Sequence, residues 1–294
     1  MTHLLPKMTA TICLAASLAI ASACAAAQEP AYKDVIYARP DSKTLGLDIY
    51  LPENSDNPPL IVQIHGGAWR FGDKNSAVPL QFVDHGYALA SLDFRQSTDA
   101  PYPAMIHDIK AAIRFLRANA DLYGFDASRI AVTGASSGAH LAQVIGVSNG
   151  HPELEGTLGD HTDTSSDVQA IISYFGASDL TVILSQSTPF GLGVREPSLA
   201  QLLGALPDKA PELAQLASPL YLVDANDPPL LLMHGDMDPQ MPVNQSLNML
   251  GAYKKAGLDV TFDPVHGAVH GGPDFFDEEH LGNALDFLAR TIGH

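Results

Sequence analysis

Ile130-Ala131-Val132-Thr133, running into Gly134-Ala135-Ser136-Ser137-Gly138, reads as a buried strand that turns sharply into a helix. The first four residues are small or β-branched and suit the middle of a sheet. The Gly-x-Ser-x-Gly that follows puts Ser136 on the turn, where its hydroxyl stands clear of the backbone. A glycine on either side lets strand and helix approach closely. With glycine near 7% of average usage, a chance match in a chain this long is about one in ten, so the pentapeptide needs partners.

A different use of the same residues is the dinucleotide-binding turn of short-chain dehydrogenases. That reading fails on three counts. About a hundred residues beyond position 27 precede the turn, His140 stands where a further phosphate-cradling glycine belongs, and no Tyr-x-x-x-Lys pattern occurs.

Upstream, the apolar run Leu60 to Ile64 ends in His65-Gly66-Gly67-Ala68-Trp69, which has the form of an HGGG-type oxyanion loop. Small residues there let the backbone N–H groups of Gly67 and Ala68, joined by that of Ser137, approach a developing oxyanion. His65, ahead of the glycines, is expected to hold the loop rather than act as a base. Trp69, the only tryptophan, either lines the substrate pocket or packs beneath the loop.

A serine nucleophile needs a base and a group to orient it, and in α/β-hydrolases these follow in the order Ser, acid, His. Downstream, Leu230 to Met233 leads into His234-Gly235-Asp236-Met237-Asp238, which places two carboxylates at the C-terminal end of a strand. Asp238 is the choice and Asp236 the reserve. Val265-His266-Gly267-Ala268-Val269-His270-Gly271-Gly272 then offers two histidines. His270 is preferred, because the glycines after it leave room for substrate and imidazole. A metal pair at i, i+4 is disfavoured, because glycines break the helix such a pair needs; no metal or cofactor is expected. His140 is read as a packed or hydrogen-bonded helix residue. His85, His107, His151, His161, His280 and His294 have no partner pattern and are assigned to structure or surface.

Around these motifs, β-rich runs alternate with helical stretches, the pattern of a mostly parallel sheet flanked by helices. Leu47 to Leu51, Leu60 to Ile64, Tyr87 to Leu92, Ile130 to Thr133, Ala170 to Tyr174, Leu230 to Met233 and Val260 to Phe262 are the expected strands. Ile106, Ile109, Ile113 and Leu116 recur at helical spacing after Pro103, and a second amphipathic stretch runs from Phe275 to the C-terminus. The polar stretch from Gly150 to Asp167 reads as a surface loop. Thr181 to Leu216 is a candidate small cap, or an ordinary helical connection. No long-period repeat or second domain linker is evident.

The chain has 294 residues, 46% hydrophobic and 17% charged, which excludes an intrinsically disordered chain. Sixteen Lys plus Arg against 33 Asp plus Glu give a net charge of -17, unfavourable for nucleic acid or an anionic membrane surface. Residues 1–27 read as a secretory signal peptide, with Lys7 as its only full charge, an apolar middle and Ala25-Ala26-Ala27 as the cleavage signal. The apolar run is too short and alanine-rich for a retained membrane span. A periplasmic or secreted protein follows, with residues 28–294 as one catalytic domain. Both cysteines, Cys13 and Cys24, lie in the leader, so the folded part has no thiolate nucleophile and no disulfide. Lipidation of Cys24 after Ala21-Ser22-Ala23 is the minority alternative to cleavage after Ala27.

Taken together, His65-Gly66-Gly67-Ala68-Trp69, Pro101-Tyr102-Pro103 through Leu116, Tyr123-Gly124-Phe125-Asp126, Gly134 through Ala142, His234 through Pro242 and His266 through Gly272 resemble the bacterial α/β-hydrolase esterases grouped with feruloyl esterase-like and acetylxylan esterase-like enzymes. The likeness runs from about Tyr32 to the C-terminus. It implies an α/β-hydrolase fold and a serine carboxylesterase with nucleophile Ser136, acid Asp238 and base His270, the residues already chosen above. It also implies small acyl or feruloyl esters, free or polysaccharide-linked, as substrates. Ala68 departs from the pattern in replacing a third glycine, and His266 stands where the group more often has another residue. A rival, a serine peptidase of the prolyl-oligopeptidase kind, lacks the residues for a propeller, and a second, a non-catalytic hydrolase-like binding domain, would not need all three triad positions.

Overall fold

The computed structural model describes residues 28–41, 43–53 and 55–293; the expected leader, both cysteines and His294 lie outside them. Eight strands form one sheet: β1 (Tyr32–Ala38), β2 (Leu45–Tyr50), β3 (Pro59–Ile64), β4 (Ala88–Leu92), β5 (Asp126–Ala135), β6 (Ala170–Tyr174), β7 (Leu230–Gly235) and β8 (Val260–Val265). Their spatial order is β1-β2-β4-β3-β5-β6-β7-β8. β1 and β2 join antiparallel, as do β2 and β4, and every pairing from β4 through β8 is parallel. This is the mostly parallel, helix-flanked sheet that the strand and helix pattern predicts, and it is the α/β-hydrolase fold that the resemblance implies.

The inner strands are buried on both faces, which explains their continuous apolar runs: all six residues of β3 and all five of β6 are buried. Successive side chains alternate between two cores. Leu60, Val62 and Ile64 join the larger one, shared with the helices Ala104–Ala118, Ser137–Gly146 and Asn244–Ala256. Ile61 joins the other, with Phe82 from the short helix Gln81–Asp84 and Phe287 and Leu288 from the last helix, Glu278–Thr291.

All seven expected strands are present, several running a residue or more beyond the expected ends. β1 was not foreseen. Its Tyr-Lys-Asp-Val-Ile-Tyr-Ala sequence sits at the sheet edge with its first three residues exposed, so its apolar content is too low to announce a strand. The helix after Pro103 spans Ala104–Ala118 and buries Asp108, Lys110 and Arg114 beside its apolar stripe. Asp108 accepts from Arg95, and Lys110 and Arg114 both bond Glu155. The segment 181–216 forms the helices Ile183–Gln186, Pro189–Leu203 and Pro211–Leu216. Leu199, Leu202 and Ala214 from it belong to the main core.

Candidate active site

β5 ends at Ala135 and the helix starts at Ser137, leaving Ser136 between them at φ 57, ψ -120. A side-chain-bearing residue with positive φ is strained by about 1–3 kcal/mol and persists only where its surroundings hold it. Here the Ser136 N–H donates to Tyr174 O at 2.9 Å, and Ser136 O accepts from His140 N at 3.1 Å. The flanking glycines are steric necessities. A Cβ on Gly134 would fall 2.5 Å from the Gly138 carbonyl, and one on Gly138 would fall 2.1 Å from Ile64 O. Strand, turn and helix therefore touch backbone to backbone.

Against this turn the loop after β8 brings His270. Its Nε2 lies 2.9 Å from Ser136 Oγ and its Nδ1 2.7 Å from Asp238 Oδ2. With the Nδ1 proton held on the ring and donated to the carboxylate, Nε2 is the acceptor for the serine hydroxyl. Gly271 and Gly272, both at positive φ, carry the chain away immediately after the ring. Phe175 packs on the imidazole, centroids 4.7 Å apart.

The Asp238 side chain is fully buried. Burial by itself pushes its carboxyl up, but hydrogen bonds from His234, His270 and the Met241 N–H and the charge of His270 outweigh that and hold it well below the usual carboxylate range. Oδ1 accepts from Gln240 N at 2.7 Å and Met241 N at 2.8 Å. His234, an unforeseen participant, bonds Met241 O through Nε2 at 3.1 Å and Ser246 Oγ through Nδ1 at 2.7 Å, with Nε2 also 3.5 Å from Asp238 Oδ2. Its i, i+4 spacing to Asp238 was the available signal.

The two reserve residues find each other. Asp236 Oδ2 lies 2.8 Å from His266 Nδ1, and Asp236 Oδ1 accepts from Gly267 N at 2.7 Å. This pair is exposed, His266 at 81% of its side chain. It staples the loop after β7 to the loop after β8 from outside, while Asp238 and His270 meet inside.

On the other side of Ser136, the turn Gly67-Ala68-Trp69 has three consecutive residues at positive φ and is closed by bonds from Arg70 N and Phe71 N to Gly67 O, both 3.0 Å. A Cβ on Gly66 would stand 2.8 Å from Ala135 O, so the loop lies directly on the elbow. Among the described residues, the N–H groups of Gly67, Ala68 and Ser137 donate to no protein acceptor. His65 is buried, stacks on Phe94 and bonds Gly66 O at 2.8 Å. Trp69 is 3% exposed and packs beneath the loop, its indole N–H donating to His140 Nδ1 at 3.0 Å. His140 Nε2 donates in turn to Ala217 O at 2.7 Å. Burial pushes the His140 imidazole down to about 4, so it is neutral with its proton on Nε2.

Among the described residues, no group of three or more His, Cys, Asp or Glu could hold a metal ion, and no helix is long and apolar enough to cross a membrane.

Known proteins carry the same architecture. The BD-FAE family model matches residues 47–252. The esterase LipC of Mycobacterium tuberculosis is 31% identical over 79% of this chain and 57% of its own length. This chain spans about half the length of the curated relatives it matches. Among solved structures, a truncated carbohydrate esterase from gut microbiota superposes with a TM-score of 0.78 at 34% identity, covering 89% of this chain and 99% of that one. Butyrate-bound Est2, an esterase of Thermogutta terrifontis, gives 0.71 at 29% identity, covering 87% and 92%.

Proposed function

This chain belongs to the BD-FAE family, and on that footing we propose that it is a serine carboxylesterase in which Ser136, His270 and Asp238 act as nucleophile, base and acid. The observation that carries the reading is the unbroken chain from Asp238 through His270 to Ser136 Oγ, with links of 2.7 and 2.9 Å. His270 takes the hydroxyl proton as Ser136 attacks the ester carbonyl. The tetrahedral oxyanion collects the N–H groups of Gly67, Ala68 and Ser137, each such donor contributing about 3 kcal/mol. Collapse expels the alcohol, protonated by His270, and leaves an acyl-serine. Water, deprotonated by the same histidine, then releases the carboxylic acid. Asp238 stays ionised throughout and steadies the imidazolium.

For substrates we propose small acyl or feruloyl esters, free or attached to polysaccharide. The esterase names of the relatives, the carbohydrate esterase among the structural neighbours and the butyrate bound by Est2 support that range. Export through residues 1–27 belongs to the same reading; recovery of a mature protein beginning at Gln28 tests it.

The direct test is initial-rate hydrolysis of short and long p-nitrophenyl esters by the purified protein and its Ser136→Ala variant. Short-ester turnover should fall by about 10⁴-fold or more in the variant. No turnover by folded protein would favour a peptidase or a binding domain, and activity surviving in Ser136→Ala would remove the elbow from the chemistry.

A further inference from the structure

A pocket of about 240 Å³ is lined by residues that flank the candidate nucleophile and base in the chain. Ala135, immediately before Ser136, and Gly271, immediately after His270, both line it. Phe175, which touches the His270 ring, and Phe275, 4.8 Å from Phe175 between centroids, supply apolar walls. The pocket sits at the C-terminal rim of the sheet, on the face that carries Ile61, Ala131 and the last helix.

One wall residue is out of character. Gln63 of β3 points to this face, since its neighbours Val62 and Ile64 belong to the opposite core while Ile61 belongs to this one. It is 4% exposed and lines the pocket, and its carboxamide has no hydrogen-bond partner among the described residues. The carboxamide is not sealed from solvent and faces the open space of the pocket, at a position that inner strands normally fill with an apolar side chain. The carboxamide offers both a donor and an acceptor, which a hydroxyl group matches with its own acceptor and donor.

We propose that this pocket is the acyl subsite and that Gln63 is its specificity-determining residue, selecting acyl groups that carry a hydroxyl at their far end. The inference rests on the esterase reading above. The acyl half of the ester is the half that fits. It remains on Ser136 while the alcohol departs and water replaces it, so the alcohol needs the open side of the site. The pocket is below the roughly 300–1,000 Å³ typical of sites for drug-sized ligands and has no room for a polymeric alcohol. Phe175 and Phe275 hold the apolar length of the chain, and Gln63 reads its end.

The test compares kcat/KM for matched ethyl esters in the whole protein. One pair has a straight-chain acyl group with and without a terminal hydroxyl; the other has an aryl-terminated acyl group with and without a para hydroxyl. The ratio within each pair is the readout, so a general loss of activity cancels. The parent should prefer the hydroxylated member of at least one pair by about tenfold or more, because the unhydroxylated acyl group leaves the carboxamide unpaired. Gln63→Leu should erase or reverse that ratio. Gln63→Met, closer in length and shape, should do the same and serves if the leucine variant melts early. Equal rates within both pairs would overturn the proposal. So would variants that keep the parent's ratio, or a preference that follows hydroxylation of the alcohol instead of the acyl group. Failure to hydrolyse any ester, p-nitrophenyl acetate included, would take the esterase reading down with it; turnover of p-nitrophenyl acetate without a hydroxyl preference would sink only Gln63's role.

Discussion

Asp236 and Asp238 are two residues apart on one loop, yet their surroundings give them opposite chemistry. Asp238 is buried and takes two backbone N–H groups and two histidines; Asp236 is 43% exposed and shares a surface bond with His266. An acid that orients a base must keep its charge in a low dielectric, where its field on the imidazolium is strong. Only Asp238 meets that condition. Asp238→Ala should therefore lower kcat by about 10⁴-fold, while Asp236→Ala, which loosens an external staple, should change it by less than about tenfold. Steady-state kinetics on one short ester decides the matter, and the reverse ranking would reassign the acid. The sequence carries both candidates in the order acid then base, and Asp238 with His270 is the choice made from it, but motif spacing supplies no geometric ground for preferring Asp238 to Asp236. Which carboxylate meets which histidine depends on the path of two loops in space, and the motif spacing alone is compatible with either. Glycines after His270 were the one local signal, because they let the chain turn away from the ring.

At the scale of elements, a relay of hydrogen bonds from Trp69 through His140 to Ala217 ties the oxyanion loop, the elbow helix and the end of the 181–216 segment together. Protonation of His140 Nδ1 would break the bond from Trp69. A histidine whose folded-state pKa lies at about 4 binds fewer protons folded than unfolded between there and about pH 6.5. Its contribution is thus complete above about pH 6.5 and is lost as pH falls toward 4, about 3 kcal/mol in all. His140→Gln keeps an acceptor for Trp69 and a donor for Ala217 without a titrating group. Thermal melts between pH 7 and 4 should show a smaller loss of stability in the variant than in the parent. Parallel curves would mean that His140 is not the sensor. His65, also depressed by burial, titrates in both proteins and cancels.

Elements also show what periodicity can and cannot reveal. The inner strands were legible because burial on both faces demands unbroken apolar runs, and the helix after Pro103 because one stripe faces the sheet. β1 was not legible, since an edge strand needs backbone pairing more than apolar side chains. Nor was the polar half of Ala104–Ala118, whose Lys110 and Arg114 are buried only because Glu155 arrives from 41 or more residues away.

For the molecule as a whole, charge acts where shape does not. Thirty-three acidic against 16 basic side chains leave -17, and exposed acids border the site itself: Asp236 after β7 and Asp274 in the turn after His270. Such a field repels anions over about 30 Å at 0.01 M salt, but over less than 10 Å at 0.2 M. An ester whose alcohol carries a carboxylate should therefore be disfavoured at low ionic strength and recover as salt rises. A neutral ester of the same size has no charge to screen. The expected result is a several-fold rise in kcat/KM for the anionic ester between 0.01 and 0.2 M sodium chloride, with the neutral ester nearly flat. The effect should lie in KM, because the field acts on encounter and binding while the bonds that break sit inside it unchanged. Equal salt profiles would show that the acidic surface is turned away from the path by which substrate arrives.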